Sequence, residues 1–202
     1  MRWALALAVL PLLAADAPRL IYSKSFPHSS PEYMEILIEH NGEVSYKEAP
    51  DDNQPLKFRL AESDTKEMFD LAEKLGNFGR PLEAPLKVAF MGMKTFRFEN
   101  GSEKKEVKFN YSEDPDAHLL LDCFERIAET EQYLINLERA AKYDKLGVDR
   151  ALLLIQSAFD HKRLVAPQQL LPMLDRIAKN ETYMHMDRER AAGLGDAIRA
   201  SK

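Results

Sequence analysis

The chain has 202 residues, enough for one medium-sized domain or two small ones with a buried core. A hydrophobic content of 45% and a charged content of 30% are ordinary for a globular protein, and they exclude a chain that is disordered throughout. The formal net charge of −5 argues against nucleic-acid binding, because neutralisation of phosphates by a basic surface supplies much of that affinity.

The first fifteen residues have the three-part pattern of a secretory signal peptide. Arg2 supplies a positive charge, Trp3 to Leu13 is an uncharged apolar run, and Ala14-Ala15 places small residues before a cleavage point. The run is short for a bilayer span, so we expect a mature chain without a transmembrane helix, in the periplasm or outside the cell. The alternative is that this run forms a buried N-terminal helix.

Residues 16–112 contain segments that alternate between apolar and polar side chains, and we expect an antiparallel α+β domain there. A first strand is predicted over residues 19–26. The next strand, from Tyr33 to Glu39, leads into Asn41-Gly42, a pair typical of a type I′ hairpin turn, and into a return strand through Tyr46. A short fourth strand is predicted over residues 57–60.

A single helix follows the fourth strand. Asp64 and Glu67 have the spacing of a capping box, and Gly76 is suited to end the helix. Between them lies an apolar stripe with helical spacing, comprising Met68, Leu71, Ala72 and Leu75.

Residues 86–111 return to a strand pattern. Val88 and Phe90 alternate with other residues, as do Phe96 and Phe98, and Asn100-Gly101 indicates a second tight hairpin. Together with the first four segments, this region predicts an antiparallel sheet of about six strands with one crossing helix.

From Asp114 onward the apolar period changes from two residues to about 3.6, so residues 113–202 are predicted to form a helical segment of about three helices. Pro115 suits the first turn of a helix that runs to about Lys142. Gly147 separates it from a second helix over residues 148–160. Pro167 opens a third helical stretch that reaches about Arg199.

Two parts of this segment resemble each other at an offset of 50 residues. Arg126-Ile127-Ala128 matches Arg176-Ile177-Ala178, and seven of the fifteen positions from 120 to 134 are identical in the second copy. Glu131 aligns with Glu181, and we expect both carboxylates to find N–H or arginine partners at the margin of the apolar stripe. The pattern indicates a duplicated helical unit, or else two amphipathic helices of similar composition.

Candidate chemistry is sparse, since the chain has no Gly-rich phosphate loop, H-E-x-x-H or C-x-x-C motif. Met184, His185 and Met186 are candidate metal ligands, because thioethers and imidazole suit Cu(I). Consecutive residues on a helix point about 100° apart, so the alternative is a core Met184 beside an exposed His185. Cys123, the sole cysteine, is expected to be a small core residue. No catalytic residue and no cofactor are predicted.

The predicted strands and hairpins of the first half include three notable segments: Ser30-Pro31-Glu32-Tyr33, Gly42-Glu43-Val44-Ser45-Tyr46 and Lys105-Glu106-Val107-Lys108-Phe109. Over residues 19–125 this arrangement resembles exported bacterial domains of unknown function. Such domains often have a cysteine pair before the tyrosine strand, where this chain has His28 and Ser29. The resemblance implies an extracytoplasmic location and no particular activity.

The leading functional hypothesis is a non-catalytic binding or scaffolding module of the cell envelope, whose partner would be an envelope protein. Two alternatives stay open: a hydrolase-like enzyme with an unrecognised site, and a carrier of a small ligand or metal. A polar cleft with paired titratable groups would favour the enzyme. An apolar pocket between the sheet and the helices would favour the carrier.

Overall fold

The computed structural model describes residues 17–201, so the signal-peptide prediction lies outside the described residues. The described chain forms an α+β fold of six strands and five α-helices. The strands are β1 Arg19–Ser25, β2 Tyr33–Glu39, β3 Glu43–Lys47, β4 Leu56–Arg59, β5 Met93–Asn100 and β6 Glu103–Phe109. The helices are α1 Glu62–Lys74, α2 Pro115–Tyr143, α3 Gly147–Asp160, α4 Leu171–Lys179 and α5 His185–Ala200.

The strands form one antiparallel sheet in the order β4-β3-β2-β1-β5-β6, which confirms the predicted α+β class and strand number. Alternate residues of each strand point to one face, and that face packs against α1 and the first half of α2. The opposite face carries cross-strand ion pairs, such as Lys47 with Glu35 at 3.1 Å and Arg97 with Glu106 at 3.9 Å. The largest side chains of the core are Tyr22, Tyr46, Phe96, Phe109 and Phe124.

The turn between β2 and β3 is not the predicted type I′ turn. Its loop has three residues, because Ile38 pairs with Val44 and the Gly42 N–H donates to the Glu39 carbonyl at 2.9 Å. Gly42 has a φ of 85°, whereas Asn41 is absent from the positive-φ residues of the described chain. This is a type I turn followed by a left-handed glycine, and the Asn41 side chain accepts a hydrogen bond from the Glu43 N–H that supports it.

Residues 86–92 form no strand, which corrects the prediction made from Val88 and Phe90. Both side chains are exposed, at 39% and 52%, and β5 begins only at Met93. Both edges of β5 are occupied, by β1 and by β6, and the segment does not extend the sheet at its outer strands β4 and β6. An alternating pattern predicts a half-buried strand only where one face is covered, and here the apolar side chains remain exposed.

Helix α1 begins at Glu62 with Ala61 at its N-cap, so the capping box predicted at Asp64 and Glu67 is wrong. Its apolar stripe is buried as predicted, and Gly76 follows the C-cap with a φ of 67°. The N-terminus of α2 was predicted correctly: Pro115 is its first residue, and the Asp114 carboxylate accepts hydrogen bonds from the N–H groups of Asp116 and Ala117.

The third predicted helix is two helices, so the segment holds four α-helices and not about three. The chain leaves the helix at Asn180, whose side chain accepts a hydrogen bond from the Thr182 N–H at 3.0 Å. Tyr183 then inserts into the core, and its hydroxyl donates to the Ala141 carbonyl at 3.2 Å. The two aligned segments therefore differ locally, since Tyr133 lies within the unbroken α2.

Two hydrophobic clusters share α2. Its first half, including Phe124 and Ile127, belongs to the cluster beneath the sheet, and its second half, including Leu137 and Ala141, belongs to a cluster formed with α3, α4 and α5. Within the described part of the chain, no helix is both long enough and apolar enough to cross a membrane.

Candidate functional site

A cavity of about 280 Å³ lies at one end of the sheet, between β1, β5, the end of β6 and the first turns of α2. It combines charged and apolar side chains. The lining consists of Lys24, Met91, Lys94, Phe109, Asn110, Tyr111, Ser112, Ala117, His118, Leu121 and Glu125.

Lys24 and Lys94 are direct partners in the antiparallel pairing of β1 with β5. Each lies two residues from a core aromatic on its own strand, Tyr22 and Phe96, and therefore faces the helix side of the sheet. Like charges directly opposite each other destabilise a sheet, so this pair is an unfavourable feature that packing alone does not explain.

Lys94 is only 5% exposed. Its ammonium donates hydrogen bonds to the backbone carbonyls of Asn110 at 2.8 Å and Gly92 at 3.4 Å. Burial, and then the neighbouring charge of Lys24, lower the pKa of Lys94 below its ordinary value, while Glu125 and Glu83 act in the opposite direction. The site thus contains a desolvated amine held by neutral acceptors.

Lys24 has a looser environment. Its nearest charged partner is the Glu125 carboxylate, with 3.8 Å between Nζ and Oε1, which is too long for a hydrogen bond. Its side chain is 26% exposed. The Lys24 ammonium therefore keeps its donors open to the cavity and to solvent.

The remaining walls are mainly apolar. Met91, Phe109, Ala117 and Leu121 line the cavity, and the Tyr111 and His118 rings meet edge to face with their centroids 5.6 Å apart. A ligand here would contact both hydrocarbon and ammonium groups.

Asn110 fixes the loop that forms one rim. Its side chain accepts from the Met91 N–H at 2.8 Å and donates to the Ala89 carbonyl at 3.0 Å, as a neighbouring strand would. Gly92 then passes close to Phe26, the residue after β1, with a φ of 93°, and a Cβ atom there would lie 2.9 Å from the Phe26 Cβ. Glycine is required for this close approach, which leaves the Gly92 carbonyl within reach of the Lys94 ammonium.

The predicted metal ligands lie elsewhere. Met184 is the N-cap of α5, and His185 and Met186 are its first two residues. Both methionines are exposed, at 43% and 50%, and the buried position beside them belongs to Tyr183. None of the three lines the cavity, and the Cu(I) site stays a prediction. Among residues 17–201, no three His, Cys, Asp or Glu side chains are grouped so that they could hold a metal ion.

Cys123, predicted to be a small core residue, is half-buried on α2 and packs against the sheet cluster without belonging to its fully buried part. Burial, followed by the Glu67 carboxylate, raises the pKa of the Cys123 thiol to about 11. The thiol is therefore protonated near neutral pH and is a poor nucleophile.

In the described structure no arginine pairs with Glu131, and the side-chain amide of Gln169 is the N–H group that acts on its carboxylate. It is fully buried, and neither carboxylate oxygen has a hydrogen bond of ordinary geometry in the described structure. Burial raises the pKa of Glu131 to about 7. Its aligned counterpart Glu181 is exposed in the turn before α5.

Lys24 and Lys94 were not among the site residues predicted from the sequence. The signal was present, because each lysine occupies the apolar phase of an alternating strand, as Tyr22-x-Lys24 and Lys94-x-Phe96. That they face each other depends on the pairing of β1 with β5, two strands that lie far apart in sequence.

Comparison with known proteins gives no assignment for this site. No protein-family model matches the sequence, and no curated protein matches it significantly. The resemblance of residues 19–125 to exported domains therefore remains an expectation.

Proposed function

We propose that the protein is a binding module for a small organic anion with an apolar portion, and that the cavity beside Lys24 and Lys94 is its site. One observation carries the proposal: two lysines oppose each other on the helix-covered face of the sheet and line an apolar cavity. A bound anion would relieve the repulsion between the two ammonium groups.

The charges of the lining support an anion as the ligand. Among its described residues, Lys24 and Lys94 each bring an ammonium, and Glu125 brings a carboxylate. The Lys24 ammonium is available to form a charge-assisted hydrogen bond, which is stronger than one between neutral groups.

The walls and the volume of the cavity further restrict the class of ligand. Hydrocarbon side chains such as Met91 and Leu121 favour a ligand with an alkyl or aryl part. A volume of about 280 Å³ lies just below the range of roughly 300–1,000 Å³ for small-molecule pockets, so the ligand is small. Of the functions expected from the sequence, this is the small-ligand carrier, placed in the cell envelope if residues 1–15 direct export.

Octanoate, octanol and octylamine test the proposal by isothermal titration calorimetry, because they share an alkyl chain and differ in charge. Octanoate is expected to bind best. Lys24→Met should weaken octanoate binding at least tenfold by removing its charge-assisted hydrogen bond. Lys47→Met is the matched control, since Lys47 is similarly exposed, at 21% against 26%, on the opposite face of the sheet. Equal binding of octanol and octanoate, or unchanged binding by Lys24→Met, would contradict the proposal.

A protein partner in the envelope is the second candidate function. The segment beside the cavity supports this candidate, because it exposes several apolar side chains close together in sequence. An ordinary protein surface exposes such side chains singly. The exposed residues are Leu86, Val88, Phe90, Met91 and Met93. A photo-cross-linking residue in place of Phe90 would capture a partner in the native host. Capture of nothing from Phe90, or equal capture from exposed Leu146, would argue against this candidate.

A further inference from the structure

Lys94 has the surroundings of a nucleophilic amine as well as those of a group that binds an anion. Its nitrogen contacts two backbone carbonyls, those of Asn110 and Gly92, which are neutral hydrogen-bond acceptors. A neutral amine has two N–H bonds and one lone pair. These two acceptors can take both N–H bonds and leave the lone pair free.

We propose that Lys94 forms an imine with the carbonyl carbon of a 2-oxo acid whose carboxylate is bound by Lys24. This inference rests on the proposed function, because the same cavity must first bind the anion. It goes beyond that function by assigning a covalent step and a substrate class.

The register of the two lysines selects a 2-oxo acid. Residues directly opposite in an antiparallel pair have Cβ atoms about 4.5–5.5 Å apart, so the two side chains start close together and run in the same direction. A ligand that meets both lysines must carry its anionic group and its electrophilic carbon close to each other. In a 2-oxo acid the carboxylate carbon and the electrophilic carbonyl carbon are directly bonded.

The groups around Lys94 also favour its reaction. Desolvation, and a second cation nearby, are two ways in which proteins make a lysine amine nucleophilic. Lys94 is nearly fully buried, and Lys24 on β1 faces it. Glu125 on α2 and Glu83 in the loop before β5 act on the pKa of Lys94 in the opposite sense.

The proposed step is balanced without any further reactant. The Lys94 lone pair attacks the carbonyl carbon, the new C–N bond forms, and the oxygen takes up a proton to give a carbinolamine. The C–O bond then breaks and the oxygen leaves as water, carrying the two protons that the nitrogen has lost. Glu125, on the cavity wall, is the group that can move these protons between nitrogen and oxygen.

Borohydride trapping tests the imine directly. The full chain is incubated with 2-oxooctanoate, treated with sodium cyanoborohydride, and analysed by intact mass and peptide mapping. We expect a single adduct with the mass of the ligand less one oxygen atom, located on Lys94 at no less than tenfold the level on any other lysine. Excess octanoate should suppress it, because octanoate fills the site and lacks the carbonyl.

Lys94→Arg is the control variant, since arginine keeps a cation that can donate to the two carbonyls but is not a nucleophile under these conditions. It should form no adduct. Octanoate binding without a Lys94 adduct in the unsubstituted protein would overturn the imine and leave the proposed function standing. Failure of both ligands to bind would overturn both. Because the adduct is mapped on the unsubstituted protein, the test does not depend on how well the variant folds.

Discussion

Two kinds of buried ionisable residue stand out at the level of single side chains. Lys94 is buried with hydrogen-bond partners, whereas Glu131 is buried without a hydrogen bond of ordinary geometry in the described structure. A buried polar group without a partner costs free energy, so such a group in a stable fold implies that it is uncharged or that it has a role. For Glu131 the first explanation is sufficient, because its pKa of about 7 lets it be protonated near neutral pH.

Glu131 should make the stability of the protein depend on pH. Its folded pKa of about 7 lies above the ordinary value of 4.5, so the folded state keeps the proton more tightly. Its contribution to stability is fully present below about pH 4.5, decreases as the pH rises to about 7, and changes little above that. Across this window the free energy of unfolding should fall by roughly 3 kcal/mol.

Glu131→Gln should remove most of that dependence, because the amide does not ionise. Urea denaturation at pH 4.5 and pH 8 would measure the effect, with the variant more stable than the unsubstituted protein only at pH 8. Glu181→Gln is the matched control, since Glu181 aligns with Glu131 in sequence but is exposed, and it should change stability equally at both pH values. An equal gain in the free energy of unfolding from Glu131→Gln at both pH values would show that folding does not raise the pKa of Glu131.

At the scale of elements, the site depends on where α2 begins. Asp114 caps this helix and also forms an ion pair with Arg80. The first turns of the helix then place His118, Leu121 and Glu125 on the wall of the cavity. The Asp114 cap therefore stabilises the start of α2 and also positions the helical residues that line the cavity.

Asp114→Ala should lower the free energy of unfolding by about 1–2 kcal/mol, because it leaves the N–H groups of Asp116 and Ala117 without their acceptor. Asp114→Asn is the control that separates the two roles. Asparagine caps as well as aspartate but has no charge for Arg80, so its cost should be well under half that of alanine. Equal losses in chemical denaturation for the two variants would mean that the ion pair, and not the cap, dominates.

The elements also show which local signals were reliable. The stripe of α1, the proline start of α2 and the alternation of β2 were predicted correctly, because each signal acts within a few residues. The capping box in α1, the strand over residues 86–92 and the unbroken third helix were wrong. For the third helix a tertiary contact decided the outcome, because Tyr183 packs against α2 instead of extending a helix.

At the scale of the whole molecule, α2 joins the sheet to the helical segment. Its 29 residues run through both hydrophobic clusters, and the loop after α3 is attached to its middle. Arg163 donates to the Glu129 carboxylate at 2.8 Å, and the Val165 N–H donates to the Thr130 hydroxyl at 3.0 Å. Glu131 lies at this junction, so its protonation acts where the two clusters meet.

The sequence by itself determined the α+β class, the number of strands and the start of the long helix, because hydrophobic periodicity and helix caps depend on neighbouring residues. The sequence did not reveal the candidate site, although both lysines occupy apolar positions in the alternating patterns of their strands. Lys24 and Lys94 are 70 residues apart in the chain, and only the pairing of β1 with β5 brings them together. Strand pairing is decided by packing across the whole sheet, which no local pattern contains, so the tertiary structure alone placed the two amines in one cavity.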